Sequence, residues 1–437
     1  MPKGYRSYVP EQDLLLPPSL REWLAEDHLA YFVSDVVDQL DLSAMHAVYE
    51  KENRGQPPYD PRLMTKLLVY GYCTGVFGSR RIQKRLQEDI PFKVLAAGNE
   101  PDFRMISDFR KIHLEALRNL FEQVLAMALQ CGSIKLGRVS LDGTKLKANA
   151  SKHKAMSYGR MKEKQQQLKE EVQQLLEQAE AADQEEDRRY GSQRGDELPE
   201  ELRRRETRLA KIKEAKKVLE QRARDKAAAE GKNAEEAQRV KPDDKDQYNF
   251  TDPESRIMKG GDGIVQGYNA QAAVEALLLI VGQAVTEAAN DKKQLKPMLE
   301  VIEEQAGQRP EAILADSGYC SEENLEQLES AAQAERKIEG FIATGKQKHG
   351  EHRLPAKRGP LPQGATKVDR MKRKLQTKVG KAVYAARKCV VEPVFGQIKQ
   401  ARGFRQFLLR GKEKVKSEWA LLCLTHNILR LHAAMQC

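Results

Sequence analysis

Three carboxylates in this chain stand where chemistry could be done: Asp142, Asp316 and Glu392. Asp142 follows Val139-Ser140-Leu141 and precedes Gly143-Thr144-Lys145-Leu146-Lys147-Ala148. Apolar and polar residues alternate there with the strand period, so the stretch reads as a strand, a tight turn at Gly143 and the start of a second strand. Asp316 closes the apolar run Ala312-Ile313-Leu314-Ala315 just before Ser317-Gly318. Two strands that each end in aspartate at the same kind of turn signal more than either alone, because ligands of open α/β sheets sit at strand ends. Glu392 stands among Val391, Val394 and Phe395; an acid on an apolar helical face is costly unless paired or bound to a cation. Hard, oxygen-only donors suit Mg²⁺ or Mn²⁺. Brought together, they would hold two ions about 4 Å apart and activate water or a 3′-hydroxyl for in-line attack on a phosphodiester. Lys145 and Lys147, then Arg387, Lys388 and Lys399, could neutralise the attacked strand. Spacing alone leaves Asp252, Asp262, Glu275, Glu287 and Asp291 as rivals, and Asp291 reads first as a helix cap.

Composition narrows the partners. The 437 residues carry 74 Lys+Arg against 64 Asp+Glu, a net charge of +10. A basic surface suits a polyanion, nucleic acid first. No apolar run reaches membrane-spanning length and the N-terminus lacks an apolar signal core, so a cytoplasmic protein with no membrane partner is expected. The six cysteines form no C-x-x-C pair, which argues against structural zinc and a disulfide framework.

Residues 1–130 read as helical. A helix is expected to start at Leu20, and Trp23 through Leu40 give it an apolar face. Asp60-Pro61 starts another helix. Ser79 opens a short basic helix with Arg80, Arg81, Lys84 and Arg85. That helix suits a major groove as well as it suits the solvated face of a helical hairpin. Arg104 and its neighbours could lie along a phosphate backbone. Residues 151–247 are almost all charged or small, with two apolar stripes, and read as a helical hairpin inserted into a globular domain, with 225–246 as a disordered candidate. Strands are expected at 267–274 and 277–285, and a helix at 292–305 interrupted near Pro297. From Lys346 to Lys378 eleven Lys or Arg face two acids; this reads as a basic loop suited to a phosphate backbone. Trp419 to Leu429 form an apolar closing helix.

The chain resembles bacterial insertion-sequence transposases of the DDE type, in the branch numbered eleven-eighty-two. The resemblance is carried by Pro101 to Arg110, Asp142 to Ser151, Gly267 to Gln271, Ala315 to Tyr319, Val391 to Lys399, Arg405 to Gly411 and Glu418 to Asn427. It implies an α/β fold: a ribonuclease-H-like mixed sheet core, preceded by an all-α N-terminal DNA-binding domain over 1–130 and interrupted by the charged insertion. It implies that Asp142, Asp316 and Glu392 are the catalytic, metal-binding triad for two Mg²⁺ or Mn²⁺ ions. The family signature sets a Tyr, an Arg and a Lys around the glutamate. Tyr384 and Lys399 match, and either Arg387 or Lys388 takes the phosphate-binding place. Zinc is not expected, because the chain has a cysteine-free basic loop where many relatives carry cysteines. The implied partners are double-stranded DNA, as terminal inverted repeats and target, and a second copy of the chain in a nucleoid-associated homodimer. The alternatives are a metal-dependent nuclease without strand transfer and an inactive transposase-derived DNA-binding protein.

Overall fold

The computed structural model describes residues 22, 24–50, 57–190, 200–229, 231–260, 263–330, 338–345, 359 and 361–436. The expected helix start at Leu20, Trp23, the rival Asp262 and the 346–358 part of the basic loop lie outside them.

Among the described residues the chain up to Gln130 is helical: α1 (Leu29–Asp38), α2 (Ser43–Tyr49), α3 (Pro61–Cys73), α4 (Ser79–Glu88), α5 (Ile90–Leu95), α6 (Phe103–Ile112) and α7 (Leu114–Gln130). Local chemistry sets several starts. The Asp60 carboxylate accepts the Arg62 N–H with Pro61 in the first turn, and the Asp102 carboxylate accepts those of Arg104 and Met105.

The chain then enters β1 (Arg138–Lys147), β2 (Ala155–Ser157), α8 (Tyr158–Tyr190), α9 (Glu200–Ala229), α10 (Ala234–Arg239), β3 (Gln247–Asn249), β4 (Arg256–Gly260), β5 (Gly263–Glu275) and β6 (Ile280–Thr286). It continues through α11 (Leu295–Ala306), β7 (Ala312–Ala315), α12 (Glu322–Ser330), β8 (Glu339–Ile342), α13 (Lys367–Gln376), α14 (Lys378–Gly396) and α15 (Lys412–Met435). The main sheet runs β4-β5-β1-β7-β8, with β6 paired along the second half of β5. β5 is antiparallel to β1, β4 and β6, whereas β7 is parallel to β1 and β8 to β7. The fold is mixed α/β around a mixed sheet.

Five details differ from the sequence reading. Gly143 makes no turn: β1 runs unbroken through it, paired with Gln271. The helix expected from Lys292 begins at Leu295, which puts Pro297 in its first turn, where a missing N–H costs nothing. Leu277 and Leu278 belong to the turn between β5 and β6, with Leu277 exposed, and the strand begins at Ile280. Within 225–246, α9 continues to Ala229 and α10 adds a further turn of helix. Residues 367–376, inside the stretch read as a basic loop, form α13, whose Thr366 and Asp369 make a reciprocal capping box.

α15 is apolar nearly all round, and residues such as Trp419, Leu421, Leu422, Leu424 and Ile428 are fully buried. A helix of that pattern must be covered on every side. It packs on α7 and α3 on one side and on β6 on the other, so the N-terminal helices and the sheet share one hydrophobic core. A buried polar chain ties the layers together. Arg110 Nη1 donates to Tyr72 Oη at 3.0 Å, Tyr72 Oη donates to Glu418 Oε1 at 3.0 Å, and Glu418 Oε2 accepts the Leu408 and Leu409 N–H groups. The α8–α9 hairpin has its own small core, with Met161, Leu168, Ile212, Ala215 and Leu219, and the β2–β3 pair lies at its base.

Candidate active site

β1 and β7 lie side by side in parallel, with Leu141 opposite Ala315. The next residue of each is an aspartate, so Asp142 and Asp316 are neighbours at the end of the parallel pairing. β7 stops there, while β1 continues against β5. The two aspartates the sequence singled out by their turns are thus brought together by strand register. Asp316 Oδ1 accepts the Gly318 N–H at 2.8 Å and shapes the short 3₁₀ turn Ser317–Tyr319. Asp142 Oδ1 accepts the Gly143 N–H at 2.8 Å.

Successive side chains on a strand face opposite ways. Asp142 looks toward α14, where the buried Arg387 places Nη2 3.0 Å from Asp142 Oδ2 and 3.4 Å from Leu141 O. Burial pushes the Asp142 carboxyl up to about 6; Arg387 opposes this, and the nearby Asp316 and Asp291 carboxylates add to it.

Gly143 and Lys145 look the other way, into a polar cluster that the sequence did not reveal. Asp291 Oδ1 accepts from Asn269 Nδ2 at 2.7 Å and from Gln271 Nε2 at 2.7 Å, and Lys145 Nζ lies 3.2 Å from Asp291 Oδ2. Gln271 Oε1 accepts from Tyr319 Oη. Asp291 is therefore not the cap of α11, which follows Gln294. The cluster also explains Gly143. A Cβ there would stand 2.7 Å from Asn269 Oδ1 and 2.7 Å from Asp291 Oδ1, with Gln271 Nε2 closer still. Glycine is needed for space and not for a turn.

Along β1 from Gly143 onward opens a cleft of about 360 Å³. Lys145, Lys147, Lys259, Lys399 and Arg405 line it together with Gly143, and none of the described residues that line it is acidic. Lys259 was not singled out in the sequence, and Arg405 was named only within the Arg405 to Gly411 stretch of the resemblance, not as a site residue. β4 and the segment after the π-helical turn Gln397–Ala401 carry them in.

The remaining candidates fall elsewhere. Glu392 is exposed on α14, not enclosed by the apolar face on which the sequence set it; Val391 and Val394 are the buried members of that segment. Lys388 is exposed, and Tyr384 packs beside Ala312, Leu314, Phe341 and Val383. Arg80, Arg81, Lys84, Arg85 and Arg104 lie exposed on α4 and α6 in the helical layer; the Arg80 and Arg104 guanidinium groups lie 4.8 Å and 5.6 Å from the centre of the Phe103 ring. The rivals have structural duties. Asp252 accepts from Tyr268 Oη at 2.8 Å, Glu275 Oε1 accepts the Leu277 N–H at 2.7 Å, and Glu287 pairs with Arg256 and Lys412.

Among the described residues no three His, Cys, Asp or Glu side chains group closely enough to hold a metal ion. Asp142 and Asp316 do offer a pair of hard oxygen donors, and their mutual repulsion is the kind that a divalent cation relieves. The pair fits such a cation; the three-carboxylate set expected from the sequence is not assembled. Among the described residues no helix is long and apolar enough to cross a membrane.

Residues 18–112 match the family model described as a transposase domain (DUF772), and residues 234–428 match that of the transposase DDE domain. The second match holds Asp291, Asp316, Arg387 and Glu392 but begins after Asp142, which β1 returns to the same sheet from across the α8–α9 hairpin. The mixed sheet and its helices are consistent with the ribonuclease-H-like fold of a DDE domain. No curated protein and no solved structure matches the chain. Two transposase-domain models thus match in order along the chain, over the helical layer and over most of the sheet, and together they support a DDE transposase.

Proposed function

We propose that this protein is an insertion-sequence transposase of the eleven-eighty-two-like branch, which binds the terminal inverted repeats of its element, cleaves there and joins the ends to target DNA. The observation that carries this reading is the placement of Asp142 and Asp316 side by side at the end of the β1–β7 pairing, on a strand whose continuation from Gly143 lines a cleft with five basic side chains and, among the described residues, no acid. Asp142 and Asp316 would hold the divalent cation, Mg²⁺ or Mn²⁺, which supplies Lewis-acid activation of the phosphodiester and of the attacking hydroxyl. Glu392 would complete a two-ion set. It is exposed on the helix whose Arg387 already reaches Asp142, so a movement of α14 against β1 is required of it.

The chain's own residues supply the rest. Lys145, Lys147, Lys259, Lys399 and Arg405 would neutralise the strand lying in the cleft. Of the two candidates for the phosphate-binding place on α14, Arg387 is favoured over Lys388, because it lies buried against Asp142 while Lys388 faces solvent. The basic side chains of α4 and α6 would contact the repeats away from the cleft, with the whole helical layer held to the sheet through α15. Two DNA ends must meet, so a homodimer is the expected assembly.

The test uses the DNA flanking the gene as substrate, with purified protein and Mg²⁺ or Mn²⁺. Cuts at the repeat tips and joined products, both lost in Asp142→Ala and Asp316→Ala, support the reading. Cuts without joining point to a nuclease, and binding without cutting to a DNA-binding relic.

A further inference from the structure

The polar cluster around Asp291 spans four separate elements. Asn269 and Gln271 come from β5, Lys145 from β1, Tyr319 from the turn after β7, and Asp291 from the connection between β6 and α11. Its hydrogen bonds form a chain. Tyr319 Oη donates to Gln271 Oε1, Gln271 Nε2 donates to Asp291 Oδ1 at 2.7 Å and to Asn269 Oδ1 at 3.0 Å, and Asn269 Nδ2 donates to Asp291 Oδ1 at 2.7 Å and to Ala288 O at 3.1 Å. Two amides therefore donate to Oδ1 of Asp291, and the Lys145 ammonium spans both oxygens, 3.3 Å from Oδ1 and 3.2 Å from Oδ2. Both side chains of that ion pair are mostly buried, at 12% and 15% exposure, so water weakens it less than it would a surface pair. A satisfied buried network of this kind rigidifies what it joins.

The carboxylate also stands over both glycines that follow the aspartates. A Cβ at Gly143 would lie 2.7 Å from Asp291 Oδ1, and one at Gly318 would lie 3.5 Å from Asp291 Oδ2 and 2.9 Å from Asp316 Oδ1. Lys145 itself lines the basic cleft. Released from Asp291, it would be a long, flexible cation with no fixed place in the cleft.

We propose that Asp291 is a positioning residue: anchored by the Asn269 and Gln271 amides, it fixes the Lys145 ammonium at the floor of the cleft, pointed at DNA phosphate and away from Asp142 and Asp316. This role rests on the transposase reading, but the hold of Asp291 on Lys145 can be measured apart from it. Asp291→Asn keeps one oxygen for the two amides and removes the charge that holds Lys145, so the fold survives and the hold does not.

The experiment compares wild type, Asp291→Asn, Lys145→Met and the double variant. Amine-reactive labelling, read by mass spectrometry in the absence of DNA, reports access to Lys145. It rises several-fold in Asp291→Asn, while the midpoint of thermal unfolding stays close to that of wild type. With the flanking-DNA substrate, each single variant loses about tenfold to a hundredfold in cleavage rate, the cost typical of a residue that orients a site. The double variant loses no more than either single one, because both changes remove the same function. Unchanged labelling of Lys145 in Asp291→Asn overturns the proposal, and so do additive losses. A raised half-saturating Mg²⁺ concentration in Asp291→Asn but not in Lys145→Met also overturns it, by making Asp291 a ligand. If wild type leaves the flanking DNA uncut, the transposase reading fails, while the labelling still decides whether Asp291 holds Lys145.

Discussion

Arg387 of α14 places its Nη2 3.0 Å from Oδ2 of Asp142, in the middle of β1. The guanidinium is buried, and its Nε finds no hydrogen-bond partner among the described residues. It is the positive charge that partly offsets the burial of Asp142 and the repulsion from Asp316. Arg387→Ala should therefore raise the Asp142 carboxyl above its present value near 6 and weaken cleavage severely. Lys388→Ala, at an exposed position, should change DNA affinity by no more than about 1 kcal/mol. Titration of Asp142 by carboxyl-labelled NMR and binding isotherms at fixed salt check both. Equal effects of the two substitutions would remove the distinction drawn between them.

Gly143→Ala should cost about 1–3 kcal/mol of stability, the usual range for overpacking. Its Cβ would run into Gln271 Nε2 and Asn269 Oδ1, which are held by the Asp291 cluster and have little room to move. Urea unfolding measures the loss. A turn glycine in an open loop would show almost none.

The carboxylates make a graded prediction. Asp142→Asn and Asp316→Asn should each reduce metal-dependent cleavage by about a hundredfold or more, since even residues that only orient a metal's ligands contribute tenfold to a hundredfold. Glu392→Gln should do the same if α14 brings it to the pair during reaction, and DNA binding should persist in all three. Cleavage by Glu392→Gln at the wild-type rate would take it out of the site.

His426 predicts a pH effect on stability. Burial pulls its imidazole down to about 3, so the folded protein keeps the ring neutral, with Nε2 2.8 Å from Leu278 O. The unfolded chain protonates it near its ordinary value, about 6.5. Between these values the unfolded state binds more protons, so this contribution is complete above about pH 6.5 and is lost as pH falls, at up to about 1.4 kcal/mol per pH unit. Asp142 acts in the opposite direction: its raised carboxyl favours the folded state as pH falls from about 6 toward the unfolded carboxylate value. Denaturation from pH 7 to pH 4 on wild type and His426→Gln isolates the histidine. A wild type no more acid-sensitive than the variant would contradict the assignment.

Glu418 holds Tyr72 and the Leu408 and Leu409 N–H groups in the core. Glu418→Ala leaves those donors and the buried Arg110 without their acid and should destabilise the protein by about 3–5 kcal/mol. Because Tyr72 and Arg110 belong to the helical layer, thermal unfolding should broaden or split as that layer loosens from α15. A single unshifted transition would argue against the coupling.

The sequence by itself determined the parts whose signals are local. Strand alternation marked Asp142 and the apolar run before Asp316, and charge density marked the α8–α9 hairpin. The all-round apolar pattern from Trp419 to Ile428 marked a buried helix. Such features depend only on neighbours along the chain, so they survive without coordinates. What the tertiary structure decided depended on approach between distant segments. Register across β1 and β7 set Asp142 beside Asp316. The crowding of Gln271, Asn269 and Asp291 over Gly143 kept a strand where the glycine suggested a turn. The pairing of Asp291 with Lys145 spans 146 residues, and no spacing rule reaches that far. Lys259 and Arg405 enter the cleft only because β4 and the turn after Ala401 fold toward it. Glu392 faces solvent while Arg387, five residues earlier on the same helix, is buried. The helical period allows either face, and the packing of α14 on β1 chose between them.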